Sequence, residues 1–206
     1  MAGPTVGFLA LVDVLLHLNM DLRKHSVRRV QREIDTGVRV PGNALAAASI
    51  ATLLSFGLVL MIVLDWVLVE IQILSTYSWD WLYSFTPLWV IGLVLLSTGI
   101  FLHMWSRYVR KEMAASWSMS EEHKIVTIGP YSKVRHPSYT SYLLSFIGLI
   151  MMIPSPLSLC LIIGIPGYYV IAKKEELHLI EHFGEEYRTY INNTGMFFPR
   201  FKSRRG

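Results

Sequence analysis

Two stretches of this 206-residue chain gather the residue types that can do chemistry. The first, residues 117–139, ends in Gly129-Pro130-Tyr131-Ser-Lys-Val-Arg135-His136-Pro137-Ser-Tyr139. Gly-Pro marks a turn, and proline suits the first turn of a helix. His136 therefore sits at a helix N-terminus. Free backbone N–H groups and the positive end of the helix dipole favour an anion there. Arg135 and His136 add donors, and Tyr131 and Tyr139 offer aromatic faces suited to a purine or a cationic sulfonium. The second stretch, residues 173–199, opens Lys173-Lys174-Glu175-Glu176. Its two carboxylates can meet an ammonium group, or simply pair with the lysines on a solvated helix turn. Apolar residues then recur at Leu177, Ile180, Phe183, Tyr187 and Tyr190, a helical spacing that predicts an amphipathic C-terminal helix over 173–191.

An anion cradle, a carboxylate pair and aromatic faces together suit a zwitterionic amino acid that bears a purine and a positive charge. S-adenosylmethionine has that make-up, although these features alone do not single it out. Its carboxylate would meet the helix start and His136, and its ammonium Glu175 or Glu176. No Gly-rich phosphate loop is present. His178 and His182 stand at i, i+4 but lack the flanking general-base pattern of a metal motif. The single cysteine, Cys160, rules out a multi-cysteine zinc site. No metal is expected.

These motifs need elements to position them, and the composition says which. Hydrophobic residues make up 52% of the chain and charged residues only 17%, against about 25% charged in a soluble domain. Mean hydropathy is +0.41. A bilayer core requires roughly 20 apolar residues per helix. Ala44 to Leu64 carries no charge, and Pro87 to Trp105 has only His103 as an ionisable group. Thr5 to Met20 is weaker, since Asp13 and His17 lie within it. Ser138 to Ile153 and Leu157 to Ala172, separated by Pro154-Ser-Pro156, are short and read as a hairpin. The expected fold is an all-α integral membrane protein of about five transmembrane helices, the last two a short hairpin. Residues 1–116 would hold the segments 5–20, 44–70 and 87–105 with a basic loop at 21–43. Residues 117–206 would hold the cofactor-binding region, with the hairpin at 138–172 and the C-terminal helix at 173–191. Ala47, Ala51 and Ser55, four residues apart, predict close helix packing, within the chain or between copies.

Every one of the 19 Lys and Arg residues falls in 21–43, 106–137 or the tail from 173. With five spans these all lie on one side, and the positive-inside rule makes that side cytoplasmic, with the N-terminus outside. The loop around Trp66, Tyr77, Trp79, Trp81 and Tyr83 has the aromatic character of the opposite interface. The net charge of +4 is thus a topology signal rather than a nucleic-acid footprint. Both chemical motifs lie on the basic side.

From His123 onward the chain resembles the isoprenylcysteine carboxyl methyltransferase family. The resemblance rests on His123-Lys-Ile-Val-Thr-Ile-Gly-Pro-Tyr131-Ser-Lys-Val-Arg135-His136-Pro137-Ser-Tyr139, then Glu175-Glu176, Phe183-Gly184-Glu-Glu-Tyr187, Thr194-Gly195 and Phe198-Pro199. The five-span count is similar to that of short microbial members. The resemblance implies an S-adenosylmethionine-dependent methyltransferase with its cofactor in a cytoplasmic pocket that the C-terminal segment closes. By motif position, His123, Lys124, Ile125, Val126, Gly129, Tyr131, His136, Tyr139, Glu175 and Glu176 would line that pocket. A lipid tail would enter between helices from the bilayer, in the plasma membrane or endoplasmic reticulum.

Two positions depart from the family's pattern. Where eukaryotic members carry an arginine shortly before Thr-Gly, this chain reads Ile191-Asn192-Asn193, and Ser141 stands where a glycine is common. The expected acceptor is the carboxylate of a prenylated cysteine, with Arg135 or Arg188 orienting it. A phospholipid amine or a thiol is the alternative, and would need a proton sink such as Glu176 or His178. A sterol-type reductase using NADPH and a non-enzymatic membrane protein are the remaining alternatives.

Overall fold

The computed structural model describes residues 39–70, 87–110 and 124–200, with short pieces at 7–9, 11–12, 15, 34–35 and 118–119. Most of the expected first segment lies outside the described residues, as do His123 and the aromatic loop at 77–83. Among the described residues the main helices are α1 (Gly42–Glu70), α2 (Pro87–Arg110), α3 (Pro137–Met152), α4 (Pro156–Phe183) and α5 (Glu185–Asn193). A two-residue antiparallel pair, β1 (Ile34–Asp35) with β2 (Ser118–Met119), and a single parallel bridge between Val134 and Gly195 are the departures from an all-helical fold among the described residues.

Among the described residues three helices, α1 (over Gly42–Leu64), α2 and α4, are long and apolar enough to cross a membrane, and α3 is a shorter apolar helix. Their burial pattern fits a lipid solvent. In α1 the buried positions are Ala44, Ala48, Ala51, Ser55, Leu58 and Ile62, a stripe at three- and four-residue spacing. The rest of its circumference exposes Leu45, Ile50, Leu53, Phe56, Leu60 and Leu64. Such a helix, apolar all round but buried on one side only, needs a membrane to cover the remainder.

With little hydrophobic drive between helices in lipid, close approach and dispersion must hold the bundle together. The sequence supplies small residues where the backbones meet. A Cβ on Gly92 of α2 would lie 2.7 Å from the Gly148 carbonyl of α3, and one on Gly148 would lie 2.7 Å from the Gly92 carbonyl. Gly164 and Gly167 of α4 fit equally closely against Ala51, Ala48 and Ala44 of α1. The small-residue face of α1 thus packs within the chain. Ala51 and Ser55 lie on its buried stripe with Ala44 and Ala48, and Ala47, half-buried at the edge, also meets α4, where a Cβ on Gly167 would lie 3.3 Å from the Ala47 Cβ.

The C-terminal half differs from expectation in one respect that matters for the site. No helix boundary falls at 172/173: α4 continues through Lys173 to Phe183, so Glu175 and Glu176 ride on it. Its buried stripe (Gly164, Gly167, Tyr168, Ile171, Ala172, Glu175, Glu176) runs unbroken from the apolar part into the two carboxylates. The break comes at Gly184, whose φ of 55° lies in the left-handed region that favours glycine. The expected helix 173–191 is therefore two pieces, the end of α4 and α5. Leu177 is exposed whereas Tyr187 is buried, so the expected apolar face is not continuous.

Candidate functional site

The start of α3 is fixed by its own sequence and by the tail. Pro137 opens the helix, and His136 is its N-cap residue. The Arg135 and His136 amides donate to the Gly195 and Met196 carbonyls at 2.9 and 3.1 Å, and the Gly195 amide donates to the Lys133 carbonyl at 3.1 Å. The Thr140 hydroxyl donates to the Phe197 carbonyl at 2.8 Å. These bonds strap residues 194–198 across the loop that precedes α3. Gly195 is required by close approach, because a Cβ there would lie 1.6 Å from the Phe198 carbonyl oxygen.

Against this helix start α4 brings Glu175 and Glu176, both buried. Glu175 Oε1 accepts a hydrogen bond from the Tyr139 hydroxyl at 2.7 Å, and its Oε2 lies 3.5 Å from His136 Nδ1. Glu176 Oε1 lies 3.2 Å from His136 Nε2 and 2.6 Å from Arg135 Nε. Each imidazole nitrogen thus faces a carboxylate oxygen. A neutral ring has only one N–H, so its bare nitrogen would confront an acceptor, and only the imidazolium satisfies both contacts. Burial by itself disfavours that charge, but hydrogen bonds and the negative charges of Glu175 and Glu176 outweigh it and raise the His136 pKa above its ordinary 6.5. The ring also stacks on Tyr139, centroids 5.4 Å apart and planes within 4°.

A cleft opens over this cluster. About 660 Å³ of space between atoms lies in it, part of it open to solvent. Of the residues that the motifs offered for a cofactor pocket, Lys124, Ile125, Val126, Tyr131, His136, Tyr139 and Glu175 line it, and Arg135 does so too. Glu176 does not, since its carboxylate is engaged by Arg135 and His136. Gly129 is absent from the lining too. It turns the chain at φ 58° against α2, where a Cβ would meet Val109 at 2.9 Å. Arg188 is exposed on α5 and pairs with Glu185 at 3.2 Å, away from the cleft. Arg135 has little left to give an acceptor, because its Nη1 also donates to the Thr194 and Ile191 carbonyls at 2.6 and 3.2 Å.

Sequence reasoning did not assign Arg110, Leu179, Phe183, Tyr187 and Tyr190 to this site, yet they line the same cleft. The signal for the last three was their apolar periodicity, which reads as helix packing. Tyr190 donates to the Tyr131 carbonyl at 2.6 Å. Burial raises the pKa of Tyr187 and Tyr190 far above the ordinary phenol value, so both remain protonated.

A second cavity, enclosing about 560 Å³, lies between α1, α2 and α3 and is lined by Phe56, Val59, Leu96, Ile100 and Leu149 with a polar end at His103, Ser141 and Ser145. One turn of α3 relates the two spaces: Tyr139 lines the first, Tyr142 the second, and both pack on Tyr168 at 5.0 and 5.3 Å. No cluster of three or more His, Cys, Asp or Glu able to hold a metal exists among the described residues.

The region that builds the cleft can be compared with known proteins. Residues 88–186, from α2 to the start of α5, match the phospholipid methyltransferase family. Protein-S-isoprenylcysteine O-methyltransferase of Saccharomyces cerevisiae is 36% identical over 80 residues, which are 38% of this chain and 34% of the yeast protein. The enzyme of the same name from Xenopus laevis is 32% identical over 145 residues, 65% of this chain and 48% of the frog protein. A nickel-cobalt-cadmium resistance protein of Alcaligenes xylosoxydans xylosoxydans is 35% identical over 78 residues, 37% of each chain. The chain spans at most about half the length of these curated relatives.

Proposed function

We propose that the chain is an integral membrane S-adenosylmethionine-dependent methyltransferase whose acceptor is lipophilic, the carboxylate of a prenylated cysteine or a close analogue. The observation that carries this reading is Glu175. It is a buried carboxylate on the wall of the cleft, held by Tyr139 and His136 beside the open first turn of α3. The relatives' names support the reaction class.

The residues present fit the donor. Glu175 would meet the ammonium, and the first turn of α3 at Ser138 and Tyr139 would meet the carboxylate. The rings of Tyr131, Tyr187 and Tyr190 offer faces to the purine. When bound, S-adenosylmethionine supplies an electrophilic methyl group, whose transfer to a carboxylate oxygen forms an ester and leaves the electron pair of the C–S bond on sulfur. A carboxylate acceptor gives up no proton, so the chain needs no general base. Its contribution is to hold the two partners in line and keep water out while opposite charges merge.

The apolar second cavity, one turn of α3 away, would take the lipid tail. The complete arrangement has five spans, with the N-terminus outside and the cleft and C-terminus cytoplasmic, in the plasma membrane or endoplasmic reticulum. A phospholipid amine is the second reading, favoured by the family that residues 88–186 match.

Calorimetric titration of the detergent-solubilised protein with S-adenosylhomocysteine tests the donor site. Micromolar binding is expected, weakened at least tenfold in Glu175→Gln and His136→Ala. Tight NADPH binding with no response to S-adenosylhomocysteine would overturn the reading.

A further inference from the structure

We infer that the second cavity reads more than a hydrocarbon tail: the Ser141 hydroxyl oxygen on its wall accepts a hydrogen bond from an N–H beside the acceptor's carboxylate. This inference rests on the methyltransferase reading above. The cavity carries polar side chains where hydrocarbon needs none. His103, buried within the span of α2, lines it together with Ser141, Ser145 and Ser55, and a polar residue inside a span commonly marks a substrate path. The hydrogen bonds of these residues show what they can offer a ligand. Ser141 Oγ donates its one proton to the Ser138 carbonyl at 2.5 Å. The 3.1 Å contact between His103 Nδ1 and Ser141 Oγ must then run from ring N–H to oxygen. A hydroxyl oxygen has two lone pairs, so Ser141 has room for a second donor. Ser55 Oγ likewise donates to a backbone carbonyl, that of Thr52, at 2.8 Å. Ser145 is packed against α2, where a Cβ on Gly99 would come within 2.5 Å of its Oγ. Ser55 and Ser141 have thus spent their protons on the chain and present lone pairs alone. A wall of that kind takes a ligand group that donates.

Position decides which donor it is. Tyr139 lines the cleft, while Ser141 and Tyr142 line the cavity, so the two spaces meet within about one helical turn, roughly 5.4 Å along α3. An acceptor with its carboxylate in the cleft and its tail in the cavity must have its junction here. In an S-alkylated cysteine that junction is Cα, which bears the carboxylate, the arm to sulfur and the nitrogen. The nitrogen is then about 2.5 Å from the carboxylate carbon, and in a cysteine that ends a peptide it is an amide N–H, a donor. A phospholipid instead presents ester carbonyls where its chains begin. Those are acceptors, and they would confront the lone pairs of Ser141 and Ser55. The polar wall therefore selects a cysteine-linked lipid over a glycerol-linked one.

The test uses three ligands that share the tail, the thioether and the carboxylate: N-acetyl-S-farnesylcysteine, its N-methylated form and S-farnesylthiopropionic acid. Only the first has an N–H. Binding of each to the detergent-solubilised protein is measured with S-adenosylhomocysteine saturating, for the wild type, Ser141→Ala and Ser55→Ala. The wild type should bind the N–H ligand about fivefold more tightly than the other two, the strength of one neutral hydrogen bond. Ser141→Ala should erase that preference while S-farnesylthiopropionic acid binds as before, which also shows the fold intact. Ser55→Ala, on the opposite wall, should shift all three ligands alike. No preference in the wild type, or a preference that Ser141→Ala leaves in place, overturns the assignment. So does an equal loss for all three ligands in Ser141→Ala, which would make the hydroxyl a brace between α2 and α3 only. A wild type that binds S-adenosylhomocysteine but none of the three overturns the acceptor class along with it. A wild type that binds no S-adenosylhomocysteine overturns the methyltransferase reading itself, a result seen before any variant is compared.

Discussion

Arg135 Nε lies 2.6 Å from Glu176 Oε1, and the same guanidinium holds the Thr194 and Ile191 carbonyls. One side chain therefore ties the loop before α3 to α4 and to the end of α5. Both partners of the ion pair are buried, with 8% and 7% of their side chains exposed. Such a pair behaves differently from a surface one: removing one member strands the other charge.

Arg135→Gln should accordingly cost about 3 kcal/mol of stability and release the tail. Thermal unfolding in detergent and limited proteolysis of the C-terminal segment measure the two effects. Arg135→Lys should rescue little, because an ammonium cannot serve three separate acceptors from the geometry of the fork. A lysine variant as stable as the wild type would contradict this role.

His136 sets the pH response. Its folded pKa is raised above 6.5 by Glu175 and Glu176 acting against burial. A group raised in the folded state contributes stability that is fully present below the unfolded value and is lost as pH rises through the folded one. The wild type should therefore lose melting temperature relative to His136→Asn as pH rises from 6.5 into the alkaline range. Histidine NMR should place the His136 midpoint above 6.5 and show it falling in Glu176→Gln. A midpoint below 6.5 in the wild type would refute the clamp.

Tyr139→Phe removes the hydroxyl that donates to Glu175 while keeping the ring stacked on His136. The expected cost is about 1 kcal/mol, seen as several-fold weaker S-adenosylhomocysteine binding with little change in fold. Unaltered binding would mean that Glu175 is held well enough without it.

Much of the bundle was legible in the sequence, because a helix facing lipid is apolar all round and needs no periodicity to be seen. The elements around the site were harder to bound. Composition changes at Lys173, where α4 leaves its apolar stretch, but backbone hydrogen bonding does not follow composition, so the helix runs on to Phe183. Gly184 carried the true break as a single residue within a helical pattern. His136, Tyr139 and Glu175 were legible as a chemical set. The roles of the arginines were not. Arg135, Arg188 and Arg110 look alike in sequence, and only their places in the fold distinguish a staple, a surface pair and a residue of the cleft wall. Arg110 was read simply as part of the positive-inside signal.

The α2–α3 contact gives a prediction about packing alone. Gly148→Val would push side-chain carbons into the Gly92 carbonyl and the Leu96 backbone, neither of which can yield by rotating a side chain. Overpacking of this kind costs about 1–3 kcal/mol and should lower the melting temperature in detergent. Gly57→Ala on α1, where a Cβ meets nothing within 4 Å, is the matched control and should be neutral.

The most direct test of the account is transfer of a labelled methyl group from S-adenosylmethionine by the purified protein to farnesylcysteine, phosphatidylethanolamine and a small thiol offered in parallel. The account predicts base-labile label on farnesylcysteine, as expected of a methyl ester, and its loss in Glu175→Gln. No transfer to any of the three by a protein that is folded and solubilised, or label on phosphatidylethanolamine alone, would contradict it.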